Sequence, residues 1–245
     1  DCVIGAGLSE HGGEREDAGI EWRSGKLSGR SLFLIDGKDA DGFLLANKSG
    51  ELYLVDASSK GIEVTELTTV DKTRTSIELI LKDVDAELLT GSSDKSVIEK
   101  VLDAGRLMLS ADTVGAAQVM LDKSVAYSLE RKQFGRLIGS FQAVKHMCAE
   151  MAADLEPCHS MIWHAAHCLD NVPEEARLMA CQTKAHISEV GKQVSKTATE
   201  VHGGMGFTDE LGLHYWFKRI GLNRQLLGSP ELIREEAGKL QGFDQ

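Results

Sequence analysis

The sequence predicts an α+β fold, with a small antiparallel β-domain over residues 1–91 followed by an antiparallel four-helix bundle over residues 92–245. Three observations carry this. Short β-rich runs alternate with turn residues between Gly25 and about Leu89, and after Gly91 the apolar residues recur at helical spacing. With 42% hydrophobic content, 245 residues are enough for a substantial core in one large domain or two ordinary ones.

In the first part, residues 31–35, 42–46, 52–55, 63–65 and 76–81 read as strands. Asp36-Gly37 and the stretches 47–50 and 58–61 supply hairpin or loop connections. Gly5-Ala6-Gly7 begins like a dinucleotide fingerprint, but Glu10 holds the third glycine position and no strand precedes it. It reads as a turn or strand feature.

The second part opens with a helix along Val97, Val101, Ala104, Met108, Ala111 and Gly115, widened by Ile98, Leu102 and Leu109, with Ser96 and Glu99 as a capping box. A second helix runs from Phe141 through Val144, Met147, Met151, Leu155 and Ile162. A third begins near Pro173, passes through Met179, Ile187, Val190, Val194 and Val201, and ends at Gly203-Gly204. Long helices with broad apolar faces and short connections argue for an antiparallel bundle. The boundary between the two parts falls near residues 89–93.

A formal charge of −11 with dispersed lysines and arginines argues against nucleic acid as a partner. The five cysteines, Cys2, Cys148, Cys158, Cys168 and Cys181, form no C-x-x-C pair and point to a reducing compartment. No apolar run reaches the roughly 18 residues of a membrane span, and no secretory leader is visible. The chain therefore reads as soluble and intracellular, placed in the cytoplasm. His164 and Cys168 have an i, i+4 spacing that can hold one edge of a metal, but no second ligand pair stands out, so they read as packed or surface side chains and no metal is assigned.

Two segments carry chemistry. ERKQFGRLIGSFQ, residues 130–142, combines basic residues, an aromatic and a loop break between two long helices. It suits either a solvated interhelical turn or an anion site built on Arg131 and Arg136. In VHGGMGFTDE, residues 201–210, the glycines serve either as a helix cap or as a place where backbone N–H groups approach a phosphate or flavin edge.

Together these segments resemble the acyl-CoA dehydrogenase family, whose helical domain carries R-K-x-F-G…F-Q, then Q-x-x-G-G-x-G-[FY], then a glutamate-glycine pair, in this order and spacing. In the first part, Leu8-Ser9-Glu10 resembles the family's flavin-edge segment, residues 29–37 its flavin-wall strand, which includes Phe33, and residues 41–47 the strand after it. The resemblance covers essentially the whole chain and omits the family's N-terminal helical domain. It implies an FAD-dependent oxidoreductase of lipid metabolism, with FAD lying between two subunits and an oligomer such as a dimer of dimers. By motif position, Arg131 would pair with the pyrophosphate, Phe134 would pack near the adenosine, Gln142 would hydrogen-bond the dinucleotide, and Gly203 and Gly204 would approach it through backbone. Ser9, Phe33, Glu200 and Ser229 also fall in the family's cofactor-binding segments, and Arg106 at a substrate-binding position.

The family reaction takes the α-proton of an acyl-CoA thioester with a carboxylate while the β-hydrogen leaves as hydride. Counted from Gly204 without a gap, the glutamate-glycine pair falls on Leu227-Gly228, followed by Ser229. The family's other base position, before its characteristic arginine, here Arg106, is Gly105. Neither can accept a proton, so no catalytic residue is assigned. A shift of two residues would instead place Gln225 there, and one of four Glu231. Two further departures concern the flavin: Glu200 stands where the motif has glutamine, and Ile35 where a threonine-like residue would bond the ring.

Three readings follow from the resemblance. The leading one is a subunit of a heteromeric acyl-CoA dehydrogenase, as in bacterial steroid and side-chain degradation, whose related partner subunit supplies the base. The second is a base-independent relative such as an acyl-CoA desulfinase or lyase. The third is a scaffold that binds neither flavin nor CoA.

Overall fold

The computed structural model describes residues 2–8, 18–91 and 93–243. Two compact units emerge, one of residues 1–103 with 226–228, the other of residues 104–225 with 229–245.

The first unit is built on an eight-stranded sheet in the order β6-β7-β3-β1-β4-β5-β8, with β2 paired to β3. The strands are β1 (Ile4–Gly7), β2 (Gly19–Arg23), β3 (Lys26–Ile35), β4 (Gly42–Ala46), β5 (Leu52–Asp56), β6 (Ile62–Leu67), β7 (Ser76–Asp85) and β8 (Glu87–Leu88). All five runs read as strands are strands, and Gly5-Ala6-Gly7 lies within β1. β2 and β8 were not legible, and β1 pairs parallel to β4, so the sheet is not purely antiparallel. Asn47 organises the β4–β5 hairpin: its side-chain oxygen accepts from the N–H groups of Ser49 and Glu51, both at 3.0 Å. Alternating residues of the central strands bury Leu27, Leu34, Phe43, Leu45, Tyr53, Val55, Ile77, Leu79 and Val84 on one core. Each such side chain contributes about 1.5–3 kcal/mol of transfer free energy. β3 breaks register with β7 between Ser31 and Leu34, and within that irregularity Phe33 takes φ +56°.

Helix α1 (Lys95–Glu130) begins in this unit and continues into the second. Its cap differs from the Ser96/Glu99 box read in the sequence. Asp94 accepts from the Ser96 N–H at 2.9 Å, because Ser96 already lies inside the first turn. That bond lowers the pKa of Asp94.

The second unit contains the rest of α1, α2 (Gln142–Asn171), α3 (Pro173–His202), α4 (Leu213–Gln225) and α5 (Pro230–Leu240). Four helices share one core: Val114, Ala117, Met120 and Leu121 of α1, Met151, Leu155 and Cys158 of α2, Ile187, Val194, Ala198 and Val201 of α3, and Leu213 and Ile220 of α4. The fifth, short helix packs Ile233 and Ala237 against Cys181 and Ala185 of α3. α3 starts with Pro173 in its first turn, Glu174 and Glu175 beside it, and ends at His202, each placed to suit the helix dipole. α2 runs on past Ile162 to Asn171 in spite of Pro157 in its interior.

Candidate functional site

Residues 131–137 leave the end of α1 and are all exposed. Lys132–Gln133 (β9) pairs with Arg136–Leu137 (β10), and the turn between them is Phe134-Gly135, with φ +53° and +77°. Two successive positive φ values make the two-residue turn whose twist suits a hairpin. Glycine enters that region without strain, whereas phenylalanine costs about 1–2 kcal/mol. The Phe134 ring is 91% exposed, its only ring neighbour among the described residues being Phe141 at 6.2 Å, so packing within the chain does not offset this cost. The hairpin is anchored at its base. Ile138 N–H donates to the Arg131 carbonyl at 2.8 Å, and a side chain at Gly139 would come within 2.8 Å of the Ser128 carbonyl oxygen. Arg136 stacks over Phe141, 3.8 Å from its centroid. Gln142 is the first residue of α2, its amide 2.8 Å from His146, and Phe141 at the cap position offers no side-chain acceptor to the helix N–H groups.

The glycine segment sits at the end of α3. Gly203 adopts φ +58°, ψ −139°, a conformation that essentially requires glycine. Gly204 has no such constraint, and a Cβ on it would meet nothing within 4 Å. The fold therefore explains the glycine at 203 and leaves the one at 204 free to serve something outside the chain. Glu200 is exposed, Phe207 is 79% exposed, and His202 is buried with Nδ1 2.8 Å from the Ala198 carbonyl oxygen.

The structure brings these two segments to one end of the bundle. His202 stacks on Tyr127, centroids 4.6 Å apart, and the backbone carbonyl of Tyr127 accepts the N–H of Arg131 at 2.9 Å. A cavity of about 230 Å³ opens there, lined by Lys123, Tyr127, Glu130, His202 and Leu213 among others.

In the first unit, Phe33 is 39% exposed at its bulge, the kind of irregularity that re-aims a side chain, and Ile35 is half-buried. Ser9 and Glu10 lie outside the described residues. Leu227 follows α4 with φ +56°, next to Gly228 at φ +107°, and its half-buried side chain packs on the cluster of Leu8, Ala46, Leu52, Ile98 and Leu102.

In the second unit, Gly105 lies within α1. Arg106 is 2% exposed and its guanidinium grips both oxygens of Glu236, at 3.2 and 2.8 Å, with Nη1 3.4 Å from Cys181 Sγ. Arg106, the residue at the substrate-binding position, has a half-buried carboxylate partner within its own unit, which Arg177 also contacts. Ser229 is the N-cap residue of α5, and Gln225 ends α4, exposed. Glu231, in the first turn of α5, is held near a pKa of about 2 by its own backbone N–H, the Ser229 hydroxyl and Arg224, the last at 2.7 Å. A carboxylate so stabilised in its charged form is a poor proton acceptor.

Lys184 went unread in the sequence. It is 2% exposed on α3, and its ammonium donates to the carbonyl oxygens of Asn223 at 2.7 Å and Arg224 at 3.4 Å and to Ser188 Oγ at 3.2 Å. Burial, with Arg106 and Arg224 adding, pushes its pKa down to about 7. The available signal was a lysine four residues before Ser188 within an apolar stripe.

The described residues thus combine an eight-stranded sheet unit with a unit of long helices, in which a basic aromatic hairpin follows the first helix and a glycine pair closes the third. Residues 95–240 match the model of the acyl-CoA dehydrogenase C-terminal domain, and the chain belongs to the acyl-CoA dehydrogenase family. It is 39% identical over 111 residues to subunit CarC of the caffeyl-CoA reductase-Etf complex of Acetobacterium woodii, covering 45% of this chain and 29% of that one. It is 31% identical over 231 residues to acyl-CoA dehydrogenase FadE34 of Mycobacterium tuberculosis, covering 94% of this chain and 31% of the relative. The chain thus spans about three tenths of the length of these two relatives. Its fold is that of butyryl-CoA dehydrogenase from Megasphaera elsdenii, with a TM-score of 0.85 over 98% of this chain and 68% of that one at 21% identity.

Proposed function

We propose that this chain is a subunit of an FAD-dependent acyl-CoA dehydrogenase that converts an acyl-CoA thioester to the 2-enoyl-CoA, and that a related partner subunit supplies the catalytic base. The observation that carries this reading is Leu227. The residue at the family's base position is an aliphatic side chain packed into an apolar cluster, and the nearby carboxylate, Glu231, is committed to Arg224. With Gly105 at the other position, this chain offers no proton acceptor at either.

The other end of the bundle fits a dinucleotide. The exposed Arg131 guanidinium suits a pyrophosphate, Phe134 presents a solvent-facing ring for adenosine, and the first turn of α2 at Gln142 has no side-chain cap among the described residues, which leaves its N–H groups to an anion. Gly203 and Gly204 permit close backbone approach, while the exposed carboxylate of Glu200 weakens the field there. By the family resemblance, Phe33 would meet the flavin portion. FAD, when bound, supplies the acceptor for the β-hydrogen of the substrate. Arg106, locked on Glu236, would act by holding α1 and α5 together rather than by touching substrate. That CarC is a subunit of a complex with Etf favours a multi-subunit assembly. A dimer of dimers working in fatty-acid or steroid side-chain breakdown in the cytoplasm completes the proposal, on the family resemblance alone.

Co-expression with candidate partner subunits tests this. Acyl-CoA-dependent reduction of an artificial electron acceptor should need both chains. Turnover by this chain alone would refute the proposal, and conversion of a sulfinyl or β-substituted acyl-CoA without reduction of the acceptor would favour the lyase reading.

A further inference from the structure

The opposite turn of the bundle, between α2 and α3, carries ligating side chains that the proposed function does not use. His164 and Cys168 lie one helical turn apart on α2, with Nε2 and Sγ separated by 3.8 Å. The chain then turns at Val172, whose N–H donates to the Cys168 carbonyl at 3.0 Å, and the first turn of α3 delivers Glu175. The three ligand atoms lie within 4.8 Å of one another. The sequence showed only the His164/Cys168 edge, because Glu175 comes from the next helix.

Zinc holds sulfur at about 2.3 Å and imidazole nitrogen at about 2.0–2.1 Å, which at a tetrahedral angle separates the two ligands by about 3.6 Å. The pair is therefore already spaced to share one ion. Among the described residues, Glu175 makes no side-chain hydrogen bond or ion pair, so its carboxylate is uncommitted. Cys168 is fully buried while His164 and Glu175 are exposed, which gives a fixed sulfur anchor with an open approach from solvent.

We propose that His164, Cys168 and Glu175 form a binding site for a borderline-soft divalent cation, zinc above all, that staples the end of α2 to the start of α3. A sulfur, nitrogen and oxygen set favours such an ion over magnesium or calcium, which take oxygen ligands. Burial, Glu175 and Glu174 hold the Cys168 thiol above its ordinary pKa, and a bound cation reverses that balance, so binding releases the thiol proton. Three protein ligands leave one tetrahedral position for water.

The test is titration of the full chain, pretreated with a chelator, with Co²⁺ as the spectroscopic probe and Zn²⁺ as competitor. One equivalent of Co²⁺ should bind with a thiolate-to-cobalt charge-transfer band that Zn²⁺ abolishes. Cys168→Ser should remove the band, and Cys148→Ser should leave it. His164→Asn and Glu175→Gln alter exposed side chains and keep the protein folded, and each should weaken Co²⁺ binding by about tenfold or more. Absence of the band in the unmodified chain, its survival in Cys168→Ser, or unchanged affinity in both exposed variants would overturn the proposal.

Discussion

Replacing Lys184 by methionine removes a buried ammonium whose protonation is coupled to folding. In the folded chain its pKa lies at about 7, against 10.5 for the ordinary side chain. Between these values the unfolded chain binds more protons than the folded one, so this group makes stability rise with pH from about 7 towards 10.5 and adds no pH dependence below that window. The slope approaches about 1.4 kcal/mol per pH unit, and the interval of about 3.5 units corresponds to on the order of 5 kcal/mol. Other groups titrate too, so the useful quantity is the difference between the unmodified chain and Lys184→Met. The variant also leaves the Asn223 carbonyl oxygen without its 2.7 Å donor, a cost of about 1–3 kcal/mol with little pH dependence. Urea denaturation followed by circular dichroism at pH 7, 8 and 9 should show the unmodified chain gaining about 2–3 kcal/mol of stability relative to Lys184→Met across that range, so that an advantage of the variant at pH 7 shrinks as the pH rises. A gap constant with pH would show that Lys184 stays charged in the folded state, and would refute the reasoning.

Glu236→Ala should cost about 3–5 kcal/mol by denaturant titration, because the Arg106 guanidinium, 2% exposed, loses the carboxylate that balances it. Phe134→Asn should raise stability by about 1 kcal/mol, since asparagine accepts the φ of +53° more readily, while lowering FAD retention if the ring serves adenosine. Gly203→Ala should lower thermal stability by about 1–3 kcal/mol through its backbone conformation, whereas Gly204→Ala, with open space around its Cβ, should leave stability unchanged and reduce FAD retention.

Much of this was legible in the sequence. The strand runs, the three long helices and their ends at Pro173 and Gly203 follow from periodicity and from the special backbones of proline and glycine. The parallel β1–β4 pair was not, because pairing between strands distant in sequence leaves no local signature. Nor was the extension of α2 past Pro157, where packing of Cys158, Ala165 and Cys168 outweighs one lost N–H. In the candidate site, residue types pointed to Arg131, Phe134 and the glycine pair, while the stacking of His202 on Tyr127 that unites their segments needed the fold. The Arg106–Glu236 pair joins residues 130 positions apart, which no spacing rule reaches.

In the proposed assembly this chain grips the dinucleotide and leaves proton abstraction to its partner. That division is tested most directly by acyl-CoA turnover and FAD content in the complex of the two subunits carrying Arg131→Ala or Leu227→Ala in this chain. Arg131→Ala should deplete FAD and turnover together, and Leu227→Ala should leave both close to those of the unmodified complex. Loss of turnover with full FAD in Leu227→Ala, or unchanged FAD in Arg131→Ala, would contradict the account.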